Sequence, residues 1–346
     1  MKSRAIDRQM NDRPGPTAPP LDELRALLER SRRVLVVAHV EPDGDAIGSL
    51  LACGACLRNL GKETVLVRES EIPSKYRFLR GAGEIRPVDA LPVDLAIDTA
   101  VVLECPTLDR VGRAARFLTD GVRIINIDHH RESGDFGAVN WIDPTKSSVG
   151  EMLFELYEAF GCEITPEVAE QLYTAIMTDT GRFRYPSTSP RTMEIVGRLI
   201  AAGADPKAIA DNVYYRLSVS TMRLTGMVLA SIEFHDRDRL CLLTLTQEML
   251  EAAGAGLSES DGLVDFTLFT DTAEVGALLK EVDEDRTRVS LRSRDAVNVA
   301  ALAAQYGGGG HFNAAGCTMP YGLARAREEI IRVLTHARKR DTDRQD

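Results

Sequence analysis

The fold is decided by residues 33–61, RVLVVAHVEPDGDAIGSLLACGACLRNLG. The apolar run from Arg33 to Ala38 predicts a buried strand, and the turn-rich segment from His39 to Asp45 predicts a loop. Apolar residues then recur at helical spacing from Ala46 to Leu60, and Gly61 is a typical stop signal for a helix. A buried strand, a loop and a helix in this order are the first step of an α/β fold.

The same alternation of strands and helices continues over the first 205 residues. The apolar stretches predict further strands at Thr64–Val67, within Asp94–Leu103 and at Arg123–Ile127. Helical spacing follows at Val149–Phe160 and Pro166–Met177. This alternation predicts the fold class α/β with an N-terminal, doubly wound parallel sheet.

The pattern changes after about Leu224, where shorter elements follow one another. Strands are predicted at Leu240–Thr246, Glu274–Glu281 and Arg288–Arg292, and helices at Val297–Gln305 and Leu323–Arg338. They predict a smaller C-terminal α/β domain with a mixed sheet. The predicted organisation is a disordered tail (1–20), a first domain (21–205), a helical linker (206–224), a second domain (225–338) and a second tail (339–346).

Charge and composition exclude several classes of protein. The net charge is −10, and residues 1–220 and 221–346 each carry −5, so neither part has the basic face that long nucleic acid requires. No run of about 18 apolar residues predicts a membrane span, and no export signal is found. We therefore expect a cytoplasmic protein with reduced thiols, in which Cys53 and Cys56 are buried small side chains.

Three widely spaced clusters hold the acidic and imidazole groups that could perform chemistry. They are the loop from His39 to Asp45, the triplet Asp128-His129-His130 and the segment from Thr178 to Gly181. Each follows an apolar stretch, so we expect each to lie at the end of a buried strand, where ligands collect in open α/β sheets. Carboxylate and imidazole together suit Mn²⁺, Mg²⁺, Fe²⁺ or Zn²⁺. Any single cluster has a structural alternative, since Asp-Gly-Asp is common in turns and Asp128 could cap a helix.

In combination these motifs resemble those of the DHH phosphoesterase superfamily. Gly307–Gly310 followed by His311 is similar to the glycine motif of the usual C-terminal partner domain of that family. Length and motif order resemble most the branch of nano-RNases and phosphatases of 3′-phosphoadenosine 5′-phosphate (pAp). The resemblance extends from about Leu35 to Met319.

The resemblance implies a metal site with six protein ligands: His39, Asp43, Asp45, Glu104, His129 and Asp179. His39 and Asp43 would hold one ion. Asp45, His129 and Asp179 would hold the other. His130 would contact the scissile phosphate, and Asp128 would orient the neighbouring imidazole.

The bridging acid departs from the family pattern. The family has an Asp at this position, and the segment VVLECPTLDR (101–110) places Glu104 there. Glutamate is longer by one methylene group. Asp98, which ends the run Leu95-Ala96-Ile97, is the alternative.

Substrate contacts are expected from the second domain, at the following residues: Arg292, Gly308, Gly309, Gly310, His311 and Asn313. Glycine lets backbone amides approach phosphate, and a guanidinium group binds phosphate with two hydrogen bonds. Arg184 is a weaker candidate, and Arg292 or Arg294 could instead be solvated strand-end charges. A flexible loop is the structural alternative for the four glycines.

The resemblance implies a hydrolase for short RNA or pAp that uses two divalent metal ions, with Mn²⁺ favoured and Mg²⁺ as an alternative. A phosphodiesterase for pApA or cyclic di-AMP is the runner-up, and a catalytically weak nucleotide-binding module is a third hypothesis. We expect no long nucleic acid and no membrane as partners, and a homodimer is consistent with the family.

Overall fold

The computed structural model describes residues 19–294 and 297–342, apart from the side chains of His311 and of residues 338–342. The chain forms two compact units, one ending at Arg216 and the other beginning at Leu217. Most residues of the two predicted tails, 1–20 and 339–346, lie outside the described residues. The last helix reaches Thr342, so residues 339–342 are helical, contrary to the prediction of a loose tail.

The first unit is built on a six-stranded parallel sheet, which confirms the predicted fold class. Its strands are β1 Arg33–Val37, β2 Glu63–Arg68, β3 Arg86–Pro87, β4 Thr99–Leu103, β5 Arg123–Asp128 and β6 Val139–Ile142. The spatial order is β3-β2-β1-β4-β5-β6. The direction of winding reverses between β1 and β4, so this is the topological switch point at which open α/β sheets bind ligands.

Six helices accompany this sheet: α1 Leu21–Glu29, α2 Gly44–Asn59, α3 Val149–Phe160, α4 Pro166–Asp179, α5 Pro190–Ala201 and α6 Pro206–Ala210, followed by a π-helical turn at Asp211–Tyr215. Local sequence sets their starts. Ser148, Thr165 and Ser189 each accept a hydrogen bond from a first-turn amide of the helix that follows. Proline occupies the first position of α4, α5 and α6, where its missing N–H costs nothing.

Strand β1 is buried on both faces, which explains its unbroken apolar sequence. Val34 and Val36 pack into the core formed with the α-helices, and Leu35 and Val37 pack into the core on the other face. The second core is closed by short 3₁₀ turns, which include residues 108–117. Burying each of these side chains contributes about 1.5–3 kcal/mol, so β1 anchors both layers.

Two glycines let α2 lie directly against α4. A Cβ atom added at Gly44 would meet the Thr178 side-chain oxygen at 2.3 Å, and one at Gly48 would meet the Gln171 carbonyl oxygen at 2.4 Å. The start of α2 therefore lies beside the end of α4, where Asp179 is located.

The second unit contains a mixed sheet, as predicted. Its strands are β7 Glu233–His235, β8 Leu240–Leu245, β9 Val275–Asp283, β10 Arg286–Ser293, β11 Gly309–His311 and β12 Ala314–Met319, and its helices are α7 Val219–Ala230, α8 Gln247–Ala253, α9 Val299–Ala304 and α10 Leu323–Thr342. The order is β11-β12-β10-β9-β8-β7, and the pair β8/β9 is parallel while the other pairs are antiparallel. Neighbouring residues such as Leu242 and Leu243 face different cores, so this sheet is also covered on both sides.

The predicted linker 206–224 is divided between the units. Ile209 and Val213 are buried in the helical core of the first unit, while Leu224 is buried in the second. The sequence also predicted a loop where β11 forms, because glycine carries no strand signal. None of the helices in the described ranges is long and apolar enough to cross a bilayer.

We predict that Gly48→Ala lowers the free energy of unfolding by about 1–3 kcal/mol, because the new methyl group meets backbone of α4. Gly197→Ala is the matched control, since Gly197 lies within α5 with no atom near the added Cβ. The control should be neutral or more stable by about 0.5–1 kcal/mol. Urea unfolding of both variants measures the difference, and equal stability would contradict the close packing of α2 and α4.

Candidate metal centre

Three strands of the first unit deliver acidic and imidazole residues to the same edge of the sheet. The loop from His39 to Asp45 follows β1, Glu104 follows β4, and the triplet 128–130 spans the end of β5. Because the strands are parallel, these residues lie at the carboxyl edge, and β1 and β4 flank the switch point. The prediction that Asp179 lies at the end of a strand is wrong, because Asp179 is the last residue of helix α4. The contact of α4 with α2 brings it to the cluster.

The carboxylate of Asp45 is fully buried and held by backbone amides. Its Oδ2 accepts a hydrogen bond from the Val149 N–H at 2.7 Å, and its Oδ1 accepts one from the Gly150 N–H at 2.9 Å. Both amides belong to the first turn of α3, whose positive end attracts an anion. Ser49 also donates to Oδ1 at 2.9 Å. Burial and the nearby Asp179 nevertheless raise the pKa of Asp45 to about 6.

His129 lies at the centre of the cluster. Its Nε2 is 3.3 Å from Glu104 Oε1 and 3.3 Å from Asp179 Oδ2. Its Nδ1 is 3.2 Å from the Lys146 carbonyl oxygen, which can only accept, so Nδ1 carries the proton and Nε2 faces the acids as a ligand atom. Burial opposes the charged imidazole, but Asp179 and Asp45 together raise the pKa of His129.

Two sets of three ligand atoms lie close enough to hold an ion, within 4.8 Å of one another. One set is Asp45, His129 and Asp179, which is the trio expected to share one metal. The other is Glu104, His129 and His130. The second set includes His130, which was expected only to contact phosphate. Its ring lies close enough to Glu104 and His129 to share an ion with them.

Glu104 and Asp98 lie at opposite ends of β4. Glu104 is buried in the cluster and adopts a positive φ of 58°, a strained conformation that is common at functional sites. Asp98 Oδ2 instead accepts hydrogen bonds from the Arg32 and Arg33 amides at 2.9 and 3.0 Å, where β1 begins. Six residues of extended chain span roughly 20 Å, so Asp98 is at the wrong edge of the sheet to reach the cluster.

The cluster concentrates more negative charge than its imidazoles balance. Burial and the charges of Asp45, Asp128 and Asp179 raise the pKa of Glu104 well above its usual range. Glu104 Oε2 is buried and makes no hydrogen bond within the described residues. A buried, unpaired carboxylate oxygen is costly unless a proton or a cation occupies it. Oxygen and imidazole donors fit divalent cations of the Mn²⁺ and Mg²⁺ type.

His39 and Asp43 lie at the more exposed side. The Nδ1 of His39 donates to the Val40 carbonyl at 2.7 Å, and its Nε2 is 3.9 Å from Asp43 Oδ1. Asp43 also caps α2 by accepting from the Ala46 N–H at 3.0 Å. The Asp43 charge contributes to the raised pKa values of both Asp45 and Glu104, so it acts on the same cluster.

The Asp128 carboxylate binds the His130 ring. Its Oδ1 accepts from the His130 Nδ1 at 2.8 Å and from the amides of His129 and His130 at 2.8 and 3.2 Å. Burial would raise the pKa of Asp128, but the hydrogen bond and charge of His130 hold it below its usual value. The carboxylate therefore remains ionised and fixes the imidazole.

In the second unit, Arg292, which was expected to bind phosphate, has a protein partner, and so does the nearby Arg294. Arg292 Nε donates to Asp265 Oδ1 at 2.9 Å, which fixes its guanidinium. Arg294 donates to the backbone carbonyls of Leu268 and Thr270, so it closes the 3₁₀ turn before β9. Arg294 thus has a structural role in place of the solvated one considered from the sequence.

Asn313 and the glycine run are also partly structural. Asn313 Nδ2 donates to Ser293 Oγ at 2.9 Å. A Cβ atom at Gly308 would meet the Gly316 oxygen at 2.1 Å, and one at Gly310 would meet the Ala314 oxygen at 2.5 Å, so the close approach of β12 requires both glycines. Gly309 is different, since nothing lies within 4 Å of its added Cβ. The His311 side chain lies outside the described part of the structure.

Comparisons with known proteins identify the family. The N-terminal domain of the DHH family matches residues 33–176, and the DHHA1 domain matches residues 249–339. The chain is 34% identical over 303 residues to the bifunctional oligoribonuclease and PAP phosphatase NrnA of Thermus thermophilus, covering 87% of this chain and 89% of that protein. The chain belongs to the DHH family.

A further sequence relative and a solved structure are also similar to this DHH-family chain over most of its length. NrnA of Bacillus subtilis is 28% identical over 294 residues, covering 83% of this chain and 89% of that protein. A crystal structure of an exopolyphosphatase-related protein from Bacteroides fragilis superimposes with a TM-score of 0.83 at 29% identity, covering 92% of this chain and 95% of that one.

The sequence did not reveal the backbone groups that hold the Asp45 and His129 side chains in place. The amides of Val149 and Gly150 and the carbonyl of Lys146 are backbone atoms, and any residue type could supply them. The capping residue Ser148 was the available signal, because it marks a helix start with anion-binding amides.

We predict that Glu104→Gln lowers the amount of bound Mn²⁺ by at least half, because it removes a buried charge that faces both sets of ligands. Asp98→Asn is the matched control and should bind as much metal as the unchanged protein. Elemental analysis after equilibration with Mn²⁺ and gel filtration measures both. Loss of metal in the Asp98 variant alone would show that Glu104 is not the ligand.

Proposed function

We propose that this chain is a metal-dependent phosphoesterase that hydrolyses short oligoribonucleotides, pAp, or both, releasing mononucleotides or AMP and phosphate. The observation that supports this most is the cluster of Asp45, Glu104, His129 and Asp179 at the switch point of the sheet. The relatives from T. thermophilus and B. subtilis carry both activities in their names.

The proposed centre holds two divalent ions, with Mn²⁺ favoured. His39 and Asp43 would hold one ion, Asp45, His129 and Asp179 the other, and Glu104 would face both. When bound, such ions supply an activated water near neutral pH and neutralise charge on phosphoryl oxygens. The raised pKa values of Asp45 and Glu104 fit this assignment, since each carboxylate gains from a nearby cation.

His130 is proposed to contact the scissile phosphate. Because Asp128 binds its Nδ1, the ring is held in one orientation and can present Nε2 to a phosphoryl oxygen. Asp128 is then a positioning residue, and the imidazole that it fixes would donate to a phosphoryl oxygen in the transition state.

The second unit is proposed to bind the nucleotide through Gly309 and Arg292. Gly309 is exposed and nothing lies within 4 Å of an added Cβ, which leaves room for a phosphate beside it. The Asp265 contact pre-orients the Arg292 guanidinium. Gly308, Gly310, His311 and Asn313 complete the proposed segment. Short substrates suit a protein with a net charge of −10, because long nucleic acid would be repelled. A cytoplasmic location and a homodimer belong to the same proposal.

A panel of substrates tests the reaction. With Mn²⁺, we expect product from pAp and from RNA of two to five nucleotides, and none from pyrophosphate or long single-stranded DNA. Asp45→Asn removes the charge and should reduce turnover by about 100-fold or more. Its circular dichroism spectrum should still be that of a folded protein, but its melting temperature should fall, because one amide of α3 loses its acceptor.

Other outcomes of the panel separate the alternatives. Faster cleavage of pApA or cyclic di-AMP would replace the proposed substrate class. Saturable nucleotide binding without any product would instead show a nucleotide-binding module and overturn the proposed hydrolysis.

We predict that Gly309→Ala raises the KM for pAp by about 10-fold, because its methyl group fills the open space through which the phosphate is proposed to approach. Gly226→Ala is the matched control, since Gly226 lies in α7 of the same unit and its added Cβ also meets no atom. Both variants should unfold at the temperature of the unchanged protein or slightly above. An unaltered KM for the Gly309 variant would show that this surface does not touch the nucleotide.

A further inference from the structure

Two thiols that are far apart in the sequence meet in the first unit. Cys56 Sγ lies 3.2 Å from Cys162 Sγ, although the residues are 106 positions apart. Cys56 is on α2, and Cys162 is two residues beyond the end of α3. Both are free thiols in this structure. The sequence predicted only that Cys53 and Cys56 are buried small side chains, and it gave no sign of the contact with Cys162.

The thiol pair joins the two helices that also meet at the metal centre. The starts of α2 and α3 meet where Asp45 accepts the Val149 amide. Further along, the Tyr157 hydroxyl of α3 donates to the Ala52 carbonyl of α2 at 2.7 Å. The thiols lie at the far ends of the same helices. The two helices therefore run side by side in the same direction, and the thiol contact lies at the end remote from Asp45.

The environment favours a two-thiol site over a metal site. Cys53 is buried close by, but the sets of three ligand atoms found among the described residues contain no cysteine. Cys56 is fully buried, and burial raises the pKa of its thiol well above the usual value. Cys162 is only partly buried, so a reagent from solution reaches it first.

We propose that Cys56 and Cys162 form a reversible thiol–disulfide pair that, when oxidised, locks α2 to α3. The oxidant is a small disulfide such as oxidised glutathione. The Cys162 thiolate attacks one of its sulfurs, which forms a mixed disulfide and releases one glutathione thiol. Cys56 then attacks the Cys162 sulfur, forms the protein disulfide and releases the second thiol. The two electrons and two protons lost by the protein reduce the small disulfide to two thiols.

The contact distance and the chain connectivity support this step. The sulfurs must approach from 3.2 Å to about 2.05 Å, and one of them lies beyond the end of α3. The bond would close a loop of more than 100 residues, and long loops give the larger stabilisation because they restrict the unfolded chain most. Oxidation should therefore make the first unit harder to unfold.

The test uses the full chain equilibrated with oxidised and reduced glutathione. Two of its six thiols should be lost, and peptide mapping under non-reducing conditions should show Cys56 joined to Cys162. The melting temperature should rise by on the order of 5 °C or more and return with dithiothreitol. Cys162→Ala should abolish the joined peptide and the temperature shift, and Cys53→Ala, the matched control, should keep both.

Three results would overturn the proposal. The unchanged protein could retain all six thiols at every glutathione ratio, Cys162→Ala could show the same temperature shift, or Cys53 could prove to be the partner of Cys56. Because Cys162 is partly exposed, its alanine variant should fold, and its reduced melting temperature verifies this.

Discussion

The structure depends on the burial of one carboxylate, that of Asp45, at the point where two helices begin. The Asp45 side chain binds the first amides of α3, and it stands in the first turn of α2. Glycine at position 150 lets α3 lie close to both α2 and α4. An added Cβ atom at Gly150 would meet the Ala175 Cβ at 2.6 Å and Asp45 Oδ1 at 3.4 Å. Close helix packing therefore places the Asp45 carboxylate where water is excluded.

That placement creates a charge imbalance, and the imbalance accounts for the chemistry of the site. Glu104 and Asp179 face Asp45 across His129, and burial prevents water from screening them. A proton relieves this repulsion below about pH 6, the pKa of Asp45, and a divalent cation relieves it at neutral pH. The positive φ of Glu104 is consistent with this account, because backbone strain persists where the surroundings force a side chain into a site.

The sequence predicted the first unit well because its signals are local. Helix α3 occupies the predicted residues, since Ser148 caps its start and Gly161 ends it in a left-handed conformation. The clusters that follow β1 and β5 lie together as expected, because parallel strands align their ends. Asp179 was assigned to a strand end in error, since its position depends on α4 packing against α2. The same limit applies to Arg294, β11 and Cys162, whose partners are distant in sequence and leave no local pattern.

We propose that side chains at the carboxyl ends of β1, β4, β5 and α4 form one cation-binding centre. An anomalous difference map, recorded at the manganese absorption edge from crystals grown with Mn²⁺, tests it most directly. We expect one manganese peak within bonding distance of Asp45, His129 and Asp179. We expect a second peak beside Glu104, on the side of His39 and Asp43. A map with Mn²⁺ bound elsewhere, and no peak among these residues, would contradict it.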